Sequence, residues 1–377
     1  MAILECKALS KRFGGIQALD NVDLTVEPGR VVGLLGPNGS GKTTMIKLAN
    51  GLLTPSSGEI LVDGKKPGKD TKAIVSYLPD KEYLPEWMTA KQMMELQEEF
   101  VIDRIVETGK IAEALGAKIL GLGAFTSIVG DAGITIAERL NIAVTSGNSY
   151  TVATALEGTR EAARLMGKDL RNAEVTIIGA SGSIGSACAR ILAREVRHIN
   201  LVARRIGPLE ELAQELNGHG AATFAVSSDV KRGLHKADVV IAVTSAVDFI
   251  IDPGDLKSGA VVCDVARPRN VSRNVSALRN DVLVIEGGVI HVPGNVDFRF
   301  NFGFPPHTCF ACMAETMILA LEGRYENFTL GRNLNPAQID TISALAGKHG
   351  FSLAGFRNFE HAVTPEMIEK IKRNVKF

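Results

Sequence analysis

The sequence predicts an α/β protein with a doubly wound parallel sheet at its centre, on three observations. After residue 100 strand-like and helix-like segments alternate regularly, which is the pattern of a parallel sheet covered on both faces. Within that stretch the turn GASGSIG, residues 179–185, stands between an apolar strand and a helical segment. A second glycine-rich loop, GPNGSGKTT at 36–44, again lies between an apolar run and a helical pattern, so a separate phosphate-binding segment precedes the main sheet.

Bulk properties set the frame. A chain of 377 residues, 45% hydrophobic, is long enough for two or three domains with buried cores. Lys plus Arg and Asp plus Glu both number 42, so nothing in the net charge argues for nucleic acid or an anionic membrane surface. No signal peptide and no run of ~18–20 apolar residues is present, and a cytoplasmic protein is expected. Five scattered cysteines, Cys6, Cys188, Cys263, Cys309 and Cys312, do not form a disulfide framework; free thiols are expected, one of them a candidate nucleophile.

The first hundred residues are built around GPNGSGKTT. VVGLL at 31–35 is expected as a strand entering the loop, with MIKLANGLL as the helix after it. Glycines at 36, 39 and 41 let backbone N–H groups turn toward phosphate oxygens, Lys42 supplies a point charge, and the Thr43 hydroxyl can ligate Mg²⁺. From Leu4 to about Thr89 the order LSKRFGGIQALDNVDLTVEPGRVVGLLGPNGSGKTT, LTPSSGEILVDGK, VSYLPDKEYLPEWMT resembles the N-terminal half of an ABC-transporter ATP-binding subunit. The resemblance implies an ATP site of Gly36, Asn38, Gly39, Gly41, Lys42, Thr43 and Thr44, with Phe13 on the adenine. It also implies a glutamine where this chain has Asp80. The LSGGQ signature, the strand ending in Asp-Glu and the switch histidine are missing after residue 100; AVVCD at 260–264 is followed by Val265. ATP with Mg can be held there, but without that acidic strand end turnover is not expected. Half of such a domain also leaves apolar strand edges uncovered.

AEVTIIGASGSIGSACARILAREVRHINLVARR, 173–205, reads as strand, glycine turn, helix, strand. Gly179 suits the tight turn, Gly182 close approach of a pyrophosphate, and Gly185 packing of helix on strand. With Ser181, Ser183 and Ile184 these residues make a dinucleotide site over the helix N-terminus, in a Rossmann-type domain. Arg204 and Arg205 stand where an acid would select NAD; arginine suits a 2′-phosphate, so NADPH is the expected cofactor. Solvated arginines at a strand end are the plain alternative. Further strands are expected at 237–244, 260–266 and 281–287.

FPPHTCFACMAETMILALEGRYENF, 304–328, predicts a helix with Thr308 as cap and an end at Gly323. Cys309 and Cys312 then lie in its opening turns, where the dipole favours thiolate, and His307 is near enough in sequence to be weighed as a proton-transfer partner. Burial of either cysteine as a small hydrophobe, or a redox pair, competes with a nucleophilic reading. Zinc lacks further ligands nearby.

Residues 101–351 resemble the long-chain acyl-[acyl-carrier-protein] reductases and related dehydrogenases, through GLGAFTSIVGDAG (121–133), TSGNSYTVATALEG (145–158), VTIIGASGSIGSACARIL (175–192), IEGGVI (285–290), FACMAETMILALEG (310–323), and GRN followed by KHGF. That resemblance implies Cys312 as the nucleophile that takes an acyl group, with Gly179, Gly182, Gly185 and Arg204 holding NADPH, and an acyl-carrier protein or coenzyme A thioester as substrate. Cys309 stays a packing residue. The segments 121–133 and 145–150 are candidates for the cleft wall, and the aromatic run HVPGNVDFRFNFGFPP for an acyl channel.

The expected organisation is therefore a partial ABC-type P-loop segment at 1–100, the first part of an α/β substrate domain at 101–170, a Rossmann NADP-binding domain at 171–308, and a catalytic helix with the rest of the substrate domain at 309–377. Two incomplete resemblances meeting near residue 100 suggest a chimera. The alternatives are an ATP-binding subunit driving a membrane partner, and a shikimate- or amino-acid-type dehydrogenase with no covalent cysteine.

Overall fold

The computed structural model describes residues 2–30, 32–37, 39–72, 74–75, 90–218, 222–246, 249–266, 268–299, 305–359 and 361–376; the side chains of 90–97 and 124–125 are not among those described. Two compact units divide the chain, Met1–Ala90 and Lys91–Phe377.

In the first unit β1 (Leu4–Phe13), β2 (Ile16–Val26), α1 (Lys42–Ala49) and β3 (Ser57–Val62) follow one another, and the strands form an antiparallel sheet in the order β2-β1-β3. A break in register at Ala8, whose φ is 46°, lets Cys6 and Leu9 face the same side although they are three residues apart. There they pack with Leu19, Met45, Leu48 and Ile60. The run expected as a strand at 31–35 is a correction: its described part, 32–35, is not a strand, and Leu35 is 92% exposed. A strand of that kind needs parallel neighbours, and the described strands of this unit pair only antiparallel with one another.

The second unit opens with α2 (Ala90–Ala114, all but its first residue in this unit), β4 (Ile119–Gly121), α3 (Ile134–Glu138), β5 (Ala143–Thr145) and α4 (Asn148–Leu165), with β4 and β5 paired in parallel. The main sheet follows: β6 (Glu174–Ile178), α5 (Ser183–Leu192), β7 (His198–Val202), α6 (Gly207–Leu216), β8 (Thr223–Ser227), α7 (Val230–Leu234), β9 (Val239–Ala242), β10 (Val261–Asp264), α8 (Arg273–Leu278) and β11 (Leu283–Glu286). Its six strands are all parallel, in the order β11-β10-β9-β6-β7-β8. Chain order reverses between β6 and β9, which is the switch point where such sheets bind ligands. Strands β6, β9, β10 and β11 are buried along nearly their whole length because both faces are covered: Ile177, Ile241, Cys263 and Ile285 enter one core with Leu156 of α4 and Leu192 of α5, while Ile178, Val202, Val240 and Val262 enter the other.

The chain then forms β12 (Val289–His291), β13 (Thr308–Phe310), α9 (Ala311–Leu321), α10 (Pro336–His349), β14 (Ser352–Leu353) and α11 (Pro365–Asn374). Helices α4, α9 and α10 pack on one another. Here a second expectation is corrected. Thr308 is not the cap and Cys309 is not helical: both lie in β13, where Cys309 sits opposite Ile290 of β12. The Thr308 hydroxyl donates to Pro305 O at 2.6 Å, and the helix begins only at Ala311 with Phe310 as its cap. No helix among the described residues is long and apolar enough to cross a membrane.

Candidate functional site

The turn between β6 and α5 leaves no room for side chains. Gly179 has φ 88°, and a Cβ there would stand 2.8 Å from Val243 O and 3.0 Å from the Thr244 methyl. A Cβ on Gly185 would lie 2.3 Å from Gly179 O, so the helix packs directly on the turn. Gly182 N–H donates to Gly179 O at 2.9 Å. Ser181 and Gly182 are exposed and Ser183 and Ile184 half-buried at the start of α5. The opposite wall is held from below: Thr244 N–H donates to Asn270 Oδ1 at 3.0 Å. The buried Asp264 carboxylate at the end of β10 in turn accepts from the N–H groups of Asn270 and Val271. Arg204 and Arg205 are exposed just beyond β7. A glycine turn packed this closely on its neighbours, with exposed Ser181 and Gly182 over a helix N-terminus at the switch point, fits a dinucleotide pyrophosphate.

Cys312 is the second residue of α9 and half-buried. Its neighbour is Gly147, the N-cap of α4 with φ 74°, where a Cβ would stand 2.3 Å from Cys312 Cα and 2.5 Å from its Cβ and carbonyl oxygen. Two helix N-termini therefore meet at this cysteine. Ala311 N–H donates to Gly288 O at 2.8 Å, which ties the helix start to the chain just past β11. The cysteine thus stands beside the carboxyl edge of the sheet. Cys309 is fully buried, and burial, with Cys312 nearby, pushes its thiol up to about 12.

A carboxyl one turn further along α9 organises these segments. Glu315 is completely buried. Its Oε1 accepts from the Thr145 hydroxyl at 2.5 Å and the Thr329 hydroxyl at 2.7 Å, and its Oε2 accepts from Tyr150 N–H, in the first turn of α4, at 2.8 Å. Burial pushes this carboxyl up, and those bonds, with one from Gly147 N–H, oppose the rise. Thr316 presses its hydroxyl on Gly121, at 2.3 Å from where a Cβ would be. Sequence reasoning did not single out Glu315; the one signal was a lone acid inside the apolar helix ACMAETMILAL.

His307 lies apart from this cluster. Its φ is 61°, its carbonyl accepts from Val292 N–H at 2.8 Å, and its Nδ1 is buried with no partner among the described residues. The three residues of β13 put about 10 Å of extended chain between it and the helix. Closeness in sequence is not closeness in space here.

In the first unit Lys42, Thr43 and Thr44 form the opening turn of α1 behind Gly41, and Gly36, Gly39 and Gly41 all have positive φ. The Lys42 ammonium donates to Gly36 O at 2.8 Å and Pro37 O at 2.7 Å, held by carbonyls of its own loop. Phe13 is 43% exposed with the Lys11 ammonium 5.1 Å from its ring. Asn38 and Asp80 fall outside the described residues.

Comparison with known proteins finds two families, the first of which extends past the boundary between the two units. The family described as "ABC transporter" matches residues 19–134, and the family described as "Shikimate / quinate 5-dehydrogenase" matches residues 160–286. Long-chain acyl-[acyl-carrier-protein] reductase of Synechococcus elongatus is 29% identical over 285 residues, 71% of this chain and 80% of that protein. The chain is a homologue of long-chain acyl-[acyl-carrier-protein] reductase. That similarity takes in the part matched by the dehydrogenase family. The "Aminotransferase PigE" of Serratia sp. is 30% identical over 310 residues, which cover 81% of this chain but 35% of PigE. "Ribose import ATP-binding protein RbsA 3" of Rhizobium etli is 50% identical over 64 residues, 17% of this chain and 12% of that protein. The chain thus spans about a third of PigE and about an eighth of the ribose importer.

Proposed function

We propose that the second unit reduces an acyl thioester to an aldehyde with NADPH, through a thioester on Cys312. The observation that carries this reading is the placement of a half-buried cysteine between two helix N-termini at the carboxyl edge of a nucleotide-binding sheet. The similarity to an acyl-[acyl-carrier-protein] reductase supports it. The turn 179–185 would hold the pyrophosphate, and Arg204 with Arg205 the 2′-phosphate. A bound dihydronicotinamide would supply the hydride.

The chain's own residues do the rest. The Cys312 thiolate attacks the substrate carbonyl, and the carrier thiolate leaves with its electron pair and takes a proton. Hydride addition to the Cys312 thioester carbon then breaks its C–S bond, releasing aldehyde and regenerating the thiolate. The α4 and α9 N-termini stabilise the negative sulfur at the start and end of the cycle. Gly147 packs directly on the Cα, Cβ and carbonyl oxygen of Cys312, which narrows the room for water on that side of the residue and would favour reduction over hydrolysis. Carrier protein and coenzyme A thioesters both suit this chemistry. The dehydrogenase family match covers the nucleotide-binding part, which a reductase and a shikimate-type enzyme would share. It therefore does not favour the reading without a covalent cysteine.

For the first unit we propose nucleotide binding without turnover. The strand expected to carry the phosphate loop is exposed and unpaired as far as it is described, and the residues that activate water in the ABC family have no counterpart in this sequence.

The deciding experiment is incubation with an acyl thioester without NADPH, followed by peptide mass spectrometry. The acyl group is expected on Cys312, and Cys312→Ser is expected to lose aldehyde formation by orders of magnitude while still binding NADPH. Acylation of Cys309, or an active Cys312→Ser protein, overturns the assignment.

A further inference from the structure

We infer that Glu315 is a positioning residue for Cys312: its buried carboxyl ties the loop 145–147 and the first turn of α4 to α9, and so holds Gly147 against the cysteine. The inference rests on the reading of Cys312 as nucleophile. Three segments converge on the carboxyl, from β5 through Thr145, from α4 through Tyr150 N–H, and from the chain after α9 through Thr329. Thr329 N–H also donates to the Thr145 hydroxyl oxygen at 3.1 Å, and Ser146 N–H donates to Thr329 O at 2.9 Å. The loop is thereby fixed at both ends of the Thr145–Ser146 peptide.

The next residue is Gly147, in contact with the Cys312 backbone. A side chain that only filled the core would not need this arrangement. An apolar residue of the same size would pack equally well, but it would leave the Thr145 hydroxyl and the α4 N–H buried without this acceptor, and the Thr329 hydroxyl with only Ser149 Oγ, 2.9 Å away. Glu315 acts on Cys312 through Gly147 and the α4 N-terminus, by keeping the positive end of a second helix dipole beside the sulfur. Other titratable groups packed round this point are Cys309 on β13 and Tyr150 on α4. Burial pushes both upward, so neither brings a charge at neutral pH.

The test reads Cys312 alkylation by iodoacetamide across pH, by peptide mass spectrometry on the full chain, in the parent, Glu315→Gln and Thr145→Val. Thr145→Val keeps the carboxyl and removes the hydroxyl through which it holds the loop at β5, so it separates position from charge. Both variants are expected to alkylate Cys312 at least threefold more slowly at pH 7, with a higher midpoint, and to bind NADPH within twofold of the parent. Unchanged alkylation in folded Glu315→Gln overturns the inference even if its Tm falls. Faster alkylation also overturns it, because the carboxyl would then act as a repelling charge. If Glu315→Gln does not fold, Thr145→Val decides by the same criteria. No acyl substrate is used, so a missing acyl group on Cys312 and an alkylation rate indifferent to Glu315 are separate results.

Discussion

Replacing Gly147 by alanine puts a methyl group where the structure has the Cys312 backbone. The new Cβ would lie 2.3 Å from Cys312 Cα, and ordinary van der Waals contact begins at 3.4 Å, so one of the two helix ends must retreat by about 1 Å. The φ of 74° adds to the cost. A left-handed conformation costs a residue with a Cβ roughly 1–2 kcal/mol, and overpacking against backbone costs about 1–3 kcal/mol. The sum is about 2–5 kcal/mol, or a fall in Tm of roughly 3–8 °C at about 1.7 °C per kcal/mol for a unit that runs from Lys91 to Phe377.

Function should suffer more than stability, since a displacement of about 1 Å at reacting atoms costs on the order of 10²-fold in rate. Thermal unfolding followed by circular dichroism gives the first number, and single-turnover acylation of Cys312 gives the second. Gly347→Ala serves as the control: that glycine lies inside α10 with nothing within 4 Å of an added Cβ, and it should gain roughly 0.5–1 kcal/mol. A Gly147→Ala protein that melts with the parent and acylates at the parent rate would refute the packing argument and the placement of α4 against Cys312 with it.

Three further expectations are simpler. Arg204 is exposed beyond β7, so Arg204→Glu should leave Tm unchanged and reverse or narrow a preference for NADPH over NADH in a fluorescence titration; equal affinity of the parent for both cofactors would remove the basis for assigning Arg204 a 2′-phosphate. Asp281 is held below the usual carboxylate range by its hydrogen bonds to the Arg279 guanidinium. A depressed folded value stabilises above the unfolded value of 3.8 and is lost as pH falls through the folded one. Asp281→Asn should therefore melt lower than the parent at neutral pH, with the gap closing in acid, and a gap that is independent of pH counts against the ion pair. In the first unit the parent should show no ATP turnover above that of Lys42→Ala, and clear Lys42-dependent phosphate release would contradict the proposal of binding without hydrolysis.

The central sheet was legible because its signals are local. Apolar runs such as VTII and VVIA declare buried parallel strands, and the spacing of Gly179, Gly182 and Gly185 declares the turn between them. At 31–35 the same kind of run misled, because VVGLL becomes a strand only where neighbouring strands exist to pair with it. At 308–309 the helical pattern was outweighed by pairing with β12, which lies 18 residues earlier, measured from Ile290 to Thr308. The hub at Glu315 could not be read at all from neighbours in sequence: its partners Thr145 and Tyr150 are 170 and 165 residues away. Side chains that act over such separations leave only a weak local trace, in this case a charge where the helix pattern calls for an apolar residue.

The span between Tyr150 and Glu315 also sets a clock. The whole six-stranded sheet, from Glu174 to Glu286, is made after α4 begins and before α9 exists. At ~5–20 residues per second, a ribosome takes roughly 8–33 s to cover the 165 residues between them. Throughout that interval the Thr145 hydroxyl and the first turn of α4 have no carboxyl to bind, and the face of α4 that later meets α9 is bare. In that time the nascent chain gains all six strands of the sheet, but not the helix that carries Cys312 and Glu315. The Glu315 hub closes only when synthesis has passed both halves of it, after the last strand of the sheet has been made.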